Sequence, residues 1–365
     1  MLKAYNWQQQ DWLQFKYSNE LAEEVLQLFL TNTGYLKGFQ EGLSEEEQLD
    51  SLLKLMMKEA LKTSSIEGEV LSKKDVLSSI KKKLGLLQTN EKLKDKKAEG
   101  VAELMVDVRK TFKSPLNEEM LFRWHKKLMK GDAHVLVGQY RTHPEPMQVV
   151  SGAMGKVKVH FEAPPSLAIP LEMSAFITWF NQTEQELMNP VLRAALTHLY
   201  FESLHPFEDG NGRIGRALAE KALSQGLGSP VLFSLSAAIE SDKKLYYSSL
   251  QKAQGSNEVN LWLKYFNKLV LKAQELAKEE MKFTVKKSKF FKTYSHLLNE
   301  RQLKVVNRML EEGSEGFEGG MNTAKYMGIT KASKATATRD LQDARDKGWM
   351  LPKGGGRSTS YDLNL

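Results

Sequence analysis

Between His205 and Arg216 the sequence gathers one imidazole, the carboxylates of Glu208 and Asp209, a glycine-flanked asparagine and two guanidinium groups into little more than one loop. Gly210-Asn211-Gly212 lets the backbone approach a ligand closely and turns amide groups outward where a helix begins, a nest that favours an anion. Arg213 and Arg216 stand three apart on the first turn of that helix, so both lean towards one bound polyphosphate with a fork suited to its oxygens. Asp209 offers a hard carboxylate for a magnesium ion, which takes one or two protein ligands and completes its shell with water and phosphates. His205 can take a proton near neutral pH. The assembly describes nucleotide phosphate transfer to a hydroxyl. Taken singly, the parts have plainer explanations: a histidine at a helix end is usually structural, and arginines near carboxylates usually make ion pairs. It is their order in one window that carries the chemistry.

The flanks must hold this loop in place. Asn189 to Ser203 reads as a helix with Val191, Leu192, Ala195, Leu196, Leu199 and Tyr200 on a broad buried face, running straight into His205, and a second helix continues from Ile214 towards Gly226. Tyr246 and Tyr247, on a later helix, are the candidates for an adenine contact, although aromatics at helical spacing more often belong to a core. Pro170 to Gln182 is a further helix, and Trp262 to Met281 another.

Upstream, the first forty residues hold aromatic anchors and an amphipathic helix from Asn19 to Asn32, with Gly38 and Gly42 breaking the pattern. Ser44 and Glu47 then form a helix start, a capping serine with glutamate three residues on. That helix runs through Leu49 to Leu61 and ends at Thr63-Ser64-Ser65-Ile66-Glu67-Gly68, with Gly68 where a left-handed residue commonly terminates a helix. Thr63 and Glu67 share a face. A glutamate at a helix C-terminus opposes the dipole and invites a cationic partner from elsewhere. A helix and a lysine-rich connection occupy Ser72 to Lys97, including Lys92 and Lys94, and helical periodicity resumes through Val101 to Phe112 and Met120 to Leu128. Between Gly138 and Pro165 it stops: Val149-Val150, the turn-like Ser151 to Gly155, and Val157 to Phe161 predict a β-hairpin with edges open to another chain.

A chain of 365 residues with 41% hydrophobic and 27% charged content is that of an ordinary soluble protein of two or three domains. No run is long and apolar enough to span a bilayer, and the start lacks a signal peptide's apolar region, so the expectation is a cytoplasmic protein with no membrane partner. Absence of cysteine excludes disulfides, thiolate metal sites and cysteine nucleophiles. Of the net charge of +7, Lys286 to Leu365 supplies +6, from fifteen Lys+Arg and nine Asp+Glu. This tail reads helix (Asn299 to Glu311), turn, helix (Ser333 to Lys347), then a basic hairpin tipped by Gly354-Gly355-Gly356-Arg357, the order of a winged helix-turn-helix.

The loop matches at every fixed position the signature of the Fic family, His-x-Phe-x-Asp/Glu-Gly-Asn-Gly-Arg-x-x-Arg, through His205, Phe207, Asp209, Gly210, Asn211, Gly212, Arg213 and Arg216. The resemblance implies a mainly α fold, a Fic-type helical bundle with a β-hairpin flap, here followed by a winged-helix domain. It implies transfer of AMP from ATP to a Ser, Thr or Tyr hydroxyl of a protein. His205 would be the general base, Phe207 a buried anchor and Asp209 the Mg2+ ligand. Asn211 with the Gly210 and Gly212 amides would hold the α-phosphate, Arg213 the β-phosphate and Arg216 the γ-phosphate. Gly138-Gln139-Tyr140-Arg141 resembles the approach to the family's flap, so a protein target would dock on the 148–161 hairpin by main-chain pairing. Thr63 to Gly68 resembles the inhibitory motif of the family's second class, in which the glutamate, here Glu67, pairs with the second arginine, here Arg216. The domains expected are an N-terminal helical segment (1–40), an inhibitory-helix region (41–100), a catalytic core (101–285) and the winged helix-turn-helix (290–365). The target can be another protein or the chain itself by self-modification, and three alternatives stay open: removal of AMP using Glu67, transfer of a different phosphate-containing group, and a DNA-binding regulator with a nucleotide-sensing core. Homodimerisation is left open too.

Overall fold

In a computed structural model the described residues are 5–87, 95–132, 135–151, 158–187, 189–355 and 359–365. Lys92 and Lys94, the hairpin tip expected at Gly152 to Gly155 with Val157, and Gly356 and Arg357 lie outside them. The chain divides into two compact units, Met1–Lys37 with Leu52–Ala277, and Gly38–Ser51 with Lys278–Leu365.

The N-terminal helices are α1 (Asn19–Glu23), α2 (Leu26–Glu41) and α3 (Glu45–Ile66). The helix expected over Asn19 to Asn32 is thus broken in two. Asn267 Nδ2 donates to the Leu21 carbonyl and Asn189 Nδ2 to that of Ala22, so the oxygens that would continue the ladder are taken by side chains. Gly38, expected to break the pattern, lies inside α2. An interior glycine costs only about 1 kcal/mol against alanine, less than burial of Phe29 and Leu36 on the same helix returns.

The first unit continues through α4 (Lys73–Lys83), α5 (Lys96–Lys110), α6 (Glu118–Leu128), the hairpin β1 (Gln148–Ser151) and β2 (Lys158–Glu162), then α7 (Ile169–Glu186), α8 (Pro190–Leu204), α9 (Asn211–Leu227), α10 (Leu235–Glu240), α11 (Lys243–Ala253) and the first half of α12 (Asn260–Tyr294), whose residues from Lys278 on belong to the second unit. At its centre α8 packs on α9. Every residue of α8 is buried, as a helix apolar on most of its circumference must be. Asn189 caps it, accepting from the amides of Val191 and Leu192 at 3.0 and 3.1 Å. Two buried cations fasten this pair to its neighbours. Arg193 Nη2 donates to the Phe180 carbonyl at 2.7 Å and to Gln225 Oε1 at 3.0 Å. Lys221 Nζ donates to the carbonyls of Thr111, Phe112 and Ser114, and its burial pushes its pKa down to about 8. The strands β1 and β2 pair antiparallel, with a register shift between Val149 and Val150.

The second unit contains α13 (Glu300–Leu310), α14 (Thr323–Thr330), α15 (Lys334–Asp346) and the antiparallel strands β3 (Met350–Lys353) and β4 (Ser360–Leu363). Its core gathers Val305, Val306, Met309, Tyr326, Leu341 and Trp349. Asn299 and Gln302 form a capping box on α13, and Asp340 accepts from Arg301 Nε at 2.9 Å and from the Tyr326 hydroxyl at 2.8 Å. Among the described residues no helix is long and apolar enough to cross a membrane.

Candidate active site

The loop between α8 and α9 is built from two left-handed turns. His205, the C-cap of α8, sits at φ 47°, ψ 57°, a conformation a non-glycine residue holds only where the surroundings over-determine it. Gly210, at φ 81°, is the N-cap of α9, where an added Cβ would meet Met129 and Leu128. Between them Phe207 is fully buried and stacks on His125, with ring centroids 4.2 Å apart at 8°. Asn211 ties the loop to itself: its Oδ1 accepts from the Phe207 amide at 2.9 Å and its Nδ2 donates to the Phe207 carbonyl at 2.8 Å. The Asn211 side chain is therefore spent inside the loop rather than presented to a ligand. The amides of Asn211, Gly212 and Arg213 at the head of α9 precede the first intrahelical bond, Ile214 N to the Gly210 carbonyl, and so have no acceptor within the helix.

Sequence reasoning did not single out His125, nor assign a role to Arg141, yet both hold the loop. The Gly138 amide donates to His125 Nδ1 at 2.8 Å, which makes Nδ1 the acceptor and leaves Nε2–H to donate to the Asp209 carbonyl at 3.2 Å. Burial lowers the His125 pKa, so the ring stays neutral in that tautomer. Arg141 Nε donates to the His205 carbonyl at 2.9 Å, its Nη1 to Ser166 at 2.8 Å and its Nη2 to the Pro164 carbonyl at 2.5 Å. The Arg141 amide also donates to the Pro206 carbonyl at 2.9 Å, so the segment leading into the hairpin is stitched to the loop.

The His205 imidazole is largely buried, which pushes its pKa down to about 4, helped by the Arg141 charge. It is neutral at pH 7, as a base must be. Three residues back, Glu202 Oε2 lies 3.8 Å from His205 Nδ1. Burial raises the Glu202 carboxyl to about 8, with the Glu67 charge adding to it and Arg216 opposing.

The two arginines are both engaged. Arg216 Nε donates to Thr63 Oγ1 at 2.8 Å, and its Nη2 to the Thr63 carbonyl at 2.9 Å and to Glu67 Oε1 at 2.7 Å. Gly212 makes room for that carboxylate, because a Cβ there would collide with Glu67 Oε1. Burial works to raise the Glu67 pKa, but the charge and hydrogen bond of Arg216, with Arg213 and Lys243 beyond, hold it below the usual glutamate value. Arg213 Nη1 donates to Glu69 Oε2 at 2.5 Å, and its Nη2 lies 3.5 Å from Asp209 Oδ1. The Asp209 side chain is 53% exposed, and its Oδ1 accepts from the Gly210 amide at 2.5 Å. Gly68, at φ 84°, ends α3.

Of the two tyrosines expected at an adenine, Tyr246 is instead a core residue. It is 2% exposed, hemmed by Tyr247, Tyr265 and His198, and its hydroxyl lies 2.9 Å from His198 Nε2, so no ring face is free for a base. Tyr247 is exposed, and its hydroxyl donates to the Ile66 carbonyl at 3.1 Å, beside Glu67.

Residues 115–223 match the Fic/DOC family, and residues 5–86 match a domain of unknown function, DUF4172. Over 112 residues, 30% of this chain, the sequence is 30% identical to the protein adenylyltransferase Fic of Nematostella vectensis and 32% identical to that of Culex quinquefasciatus. These matches cover 25% and 21% of the two relatives, so the chain spans about a quarter or less of their length. A Fic family protein from Desulfovibrio desulfuricans superposes with a TM-score of 0.51 at 17% identity, over 96% of this chain and 97% of that one. A Fic domain containing signaling protein from Bacteroides thetaiotaomicron gives 0.52 at 21% identity, over 71% and 97%. Both show the fold.

Proposed function

We propose that this chain, which carries a Fic/DOC domain, is a protein adenylyltransferase that Glu67 holds in a restrained state. The observation that carries the restraint is the Glu67–Arg216 ion pair at 2.7 Å, made at the head of the helix whose amides and arginines would otherwise receive a polyphosphate. In the reaction a protein hydroxyl attacks the α-phosphorus of ATP while His205 takes the hydroxyl proton. The bond to the β-phosphate oxygen breaks, and pyrophosphate leaves with the electron pair. His205 is suited to this because burial keeps it unprotonated at pH 7. The amides of Asn211, Gly212 and Arg213 would hold the α-phosphate, and Arg213 and Arg216 the phosphates beyond it.

Asp209 fits a magnesium ion: it is an exposed hard carboxylate just ahead of the first amides of α9, and that ion needs few protein ligands. When bound, the ion would neutralise charge on the leaving pyrophosphate. Exposed Val150 and Val159, paired across β1 and β2, supply an apolar patch on the hairpin, which suits an extended target segment. Tyr247 remains the candidate for the adenine.

The test uses ATP labelled at the α-phosphate in parallel with ATP labelled at the γ-phosphate. Only the α label should appear on protein, and His205→Ala should lower it by about a hundred- to ten-thousandfold, the range of a general base. Undiminished labelling in that variant would remove His205 from the mechanism.

Two other readings have an observation behind them. The Glu67 carboxylate lies within electrostatic reach of His205, which suits a residue that orients water for removal of AMP. Loss of AMP release from a modified protein in Glu67→Gly would favour that reading. In the second unit, Lys331, Lys334 and Arg339 lie at or near the N-terminal half of α15, the part of a recognition helix that meets base edges, and β3 and β4 follow as a wing. Arg345 and Lys347, by contrast, pair with Asp346 and Asp343. Salt-sensitive retardation of DNA fragments, lost in Lys334→Glu, would support DNA binding.

A further inference from the structure

Glu69 carries an inference that the Glu67 latch does not contain. The end of α3 is a Schellman cap: the Gly68 amide donates to the Ser65 carbonyl and the Glu69 amide to that of Ser64, each at 3.0 Å. With Gly68 at φ 84°, this cap fixes the backbone of Glu67 on one side of the glycine and of Glu69 on the other. Each carboxylate then reaches a different signature arginine. Glu67 Oε1 takes Arg216 Nη2 at 2.7 Å and Glu69 Oε2 takes Arg213 Nη1 at 2.5 Å. Both guanidinium groups are almost wholly buried, at 1% and 4% side-chain exposure. Glu69 is itself held from behind, since its Oε1 accepts from Lys97 Nζ at 2.7 Å.

We propose that Glu69, braced by Lys97, is a second latch that caps Arg213 as Glu67 caps Arg216, so that the closed site rejects nucleoside triphosphates while still admitting a nucleoside monophosphate. The inference rests on the nucleotide reading of the loop. Its physical basis is charge. In the closed state Arg213, Arg216 and Lys97 face Glu67, Glu69 and Asp209, so a triphosphate meets cations already neutralised by fixed carboxylates, and must displace two of these to bind. A single phosphate on the helix-start amides of Asn211, Gly212 and Arg213 needs neither arginine. Releasing Glu67 alone frees the γ-phosphate position and leaves the β-phosphate position occupied.

The experiment is calorimetric titration of the full chain with ATP and with AMP, in the wild type, Glu67→Gln, Glu69→Gln and the double variant. Glu69→Gln should strengthen ATP binding about five- to hundredfold, the range expected when two ligands compete through one coupling. The double variant should exceed either single one, and AMP affinity should move less than about twofold throughout. Glu69→Asp keeps the charge but shortens the reach, so it should also strengthen ATP binding if contact with Arg213 is what matters; thermal unfolding of each variant checks that it is folded. Unchanged ATP affinity in both Glu69 variants, with an increase in Glu67→Gln, would overturn the second latch and leave the nucleotide reading standing. An equal gain for AMP and ATP would overturn the selectivity. No ATP binding even in the double variant would overturn the nucleotide reading itself, and the inference with it.

Discussion

Glu67 and Arg216 meet at 2.7 Å although 149 residues separate them in the chain. The glutamate stands at a helix C-terminus, where the dipole disfavours it and a cation offsets it, and the arginine is the residue we assign to the γ-phosphate. On the proposed function, one guanidinium would serve both as the grip on the nucleotide and as the handle of the restraint.

Thr63 shares that guanidinium, so the strength of the restraint can be varied without touching a carboxylate. Thr63→Val keeps the shape of a fully buried side chain but leaves Arg216 Nε–H without its acceptor. An unsatisfied buried donor costs about 1–3 kcal/mol. We expect a lower unfolding midpoint and a rise in labelling with ATP that is smaller than that of Glu67→Gly, because the Thr63 carbonyl still holds Nη2. Calorimetry and a labelling time course check the two parts.

Glu202 should reveal itself through pH. In the unfolded chain its carboxyl ionises near 4.5, but burial in the fold raises it to about 8. Between those values the unfolded chain has lost a proton that the native state keeps. The stabilisation is complete below about pH 4.5 and is lost as pH rises towards 8, at no more than about 1.4 kcal/mol per unit. Glu202→Gln removes the titration. The variant's stability relative to wild type should therefore increase steadily from pH 5 to pH 8 in urea unfolding, and a difference independent of pH would contradict the buried-carboxyl account.

His125→Phe separates the ring from its hydrogen bonds. The stack on Phe207 would survive, whereas the Gly138 amide would lose its acceptor and the Asp209 carbonyl its donor. Melting should fall modestly, while labelling should fall about a hundredfold, the scale expected when catalytic groups shift by about 1 Å. Equal losses in His125→Ala and His125→Phe would assign the effect to the bonds; a loss confined to His125→Ala would assign it to the stack.

The make-up of the loop was legible because its parts are local: an imidazole, a carboxylate, two glycines and two arginines within one turn and one helix start. The turn at Gly68 was legible for the same reason, as a positive φ favours glycine. What spacing could not reveal are the partners brought in by packing. Glu69, His125 and Arg141 sit in segments whose periodicity reports only which face is buried, and their roles arise from contacts 64 to 144 residues away in the chain. Tyr246 was misread because an aromatic on a buried helix face and one at a ligand face leave the same pattern; only the bond to His198 and the surrounding rings tell them apart. Asn211 was expected at a phosphate, and spacing could not show that its side chain bonds the Phe207 amide and carbonyl within the loop.

The central claim is that Glu67 restrains the site by occupying Arg216. Incubating the wild type and Glu67→Gly with magnesium and α-labelled ATP, with Glu67→Gly/His205→Ala as the blank, tests it most directly. The account expects Glu67→Gly to label itself or an added protein at least about tenfold faster than wild type, and the double variant to be silent. Equal labelling by Glu67→Gly and wild type, above a silent blank, would contradict the restraint.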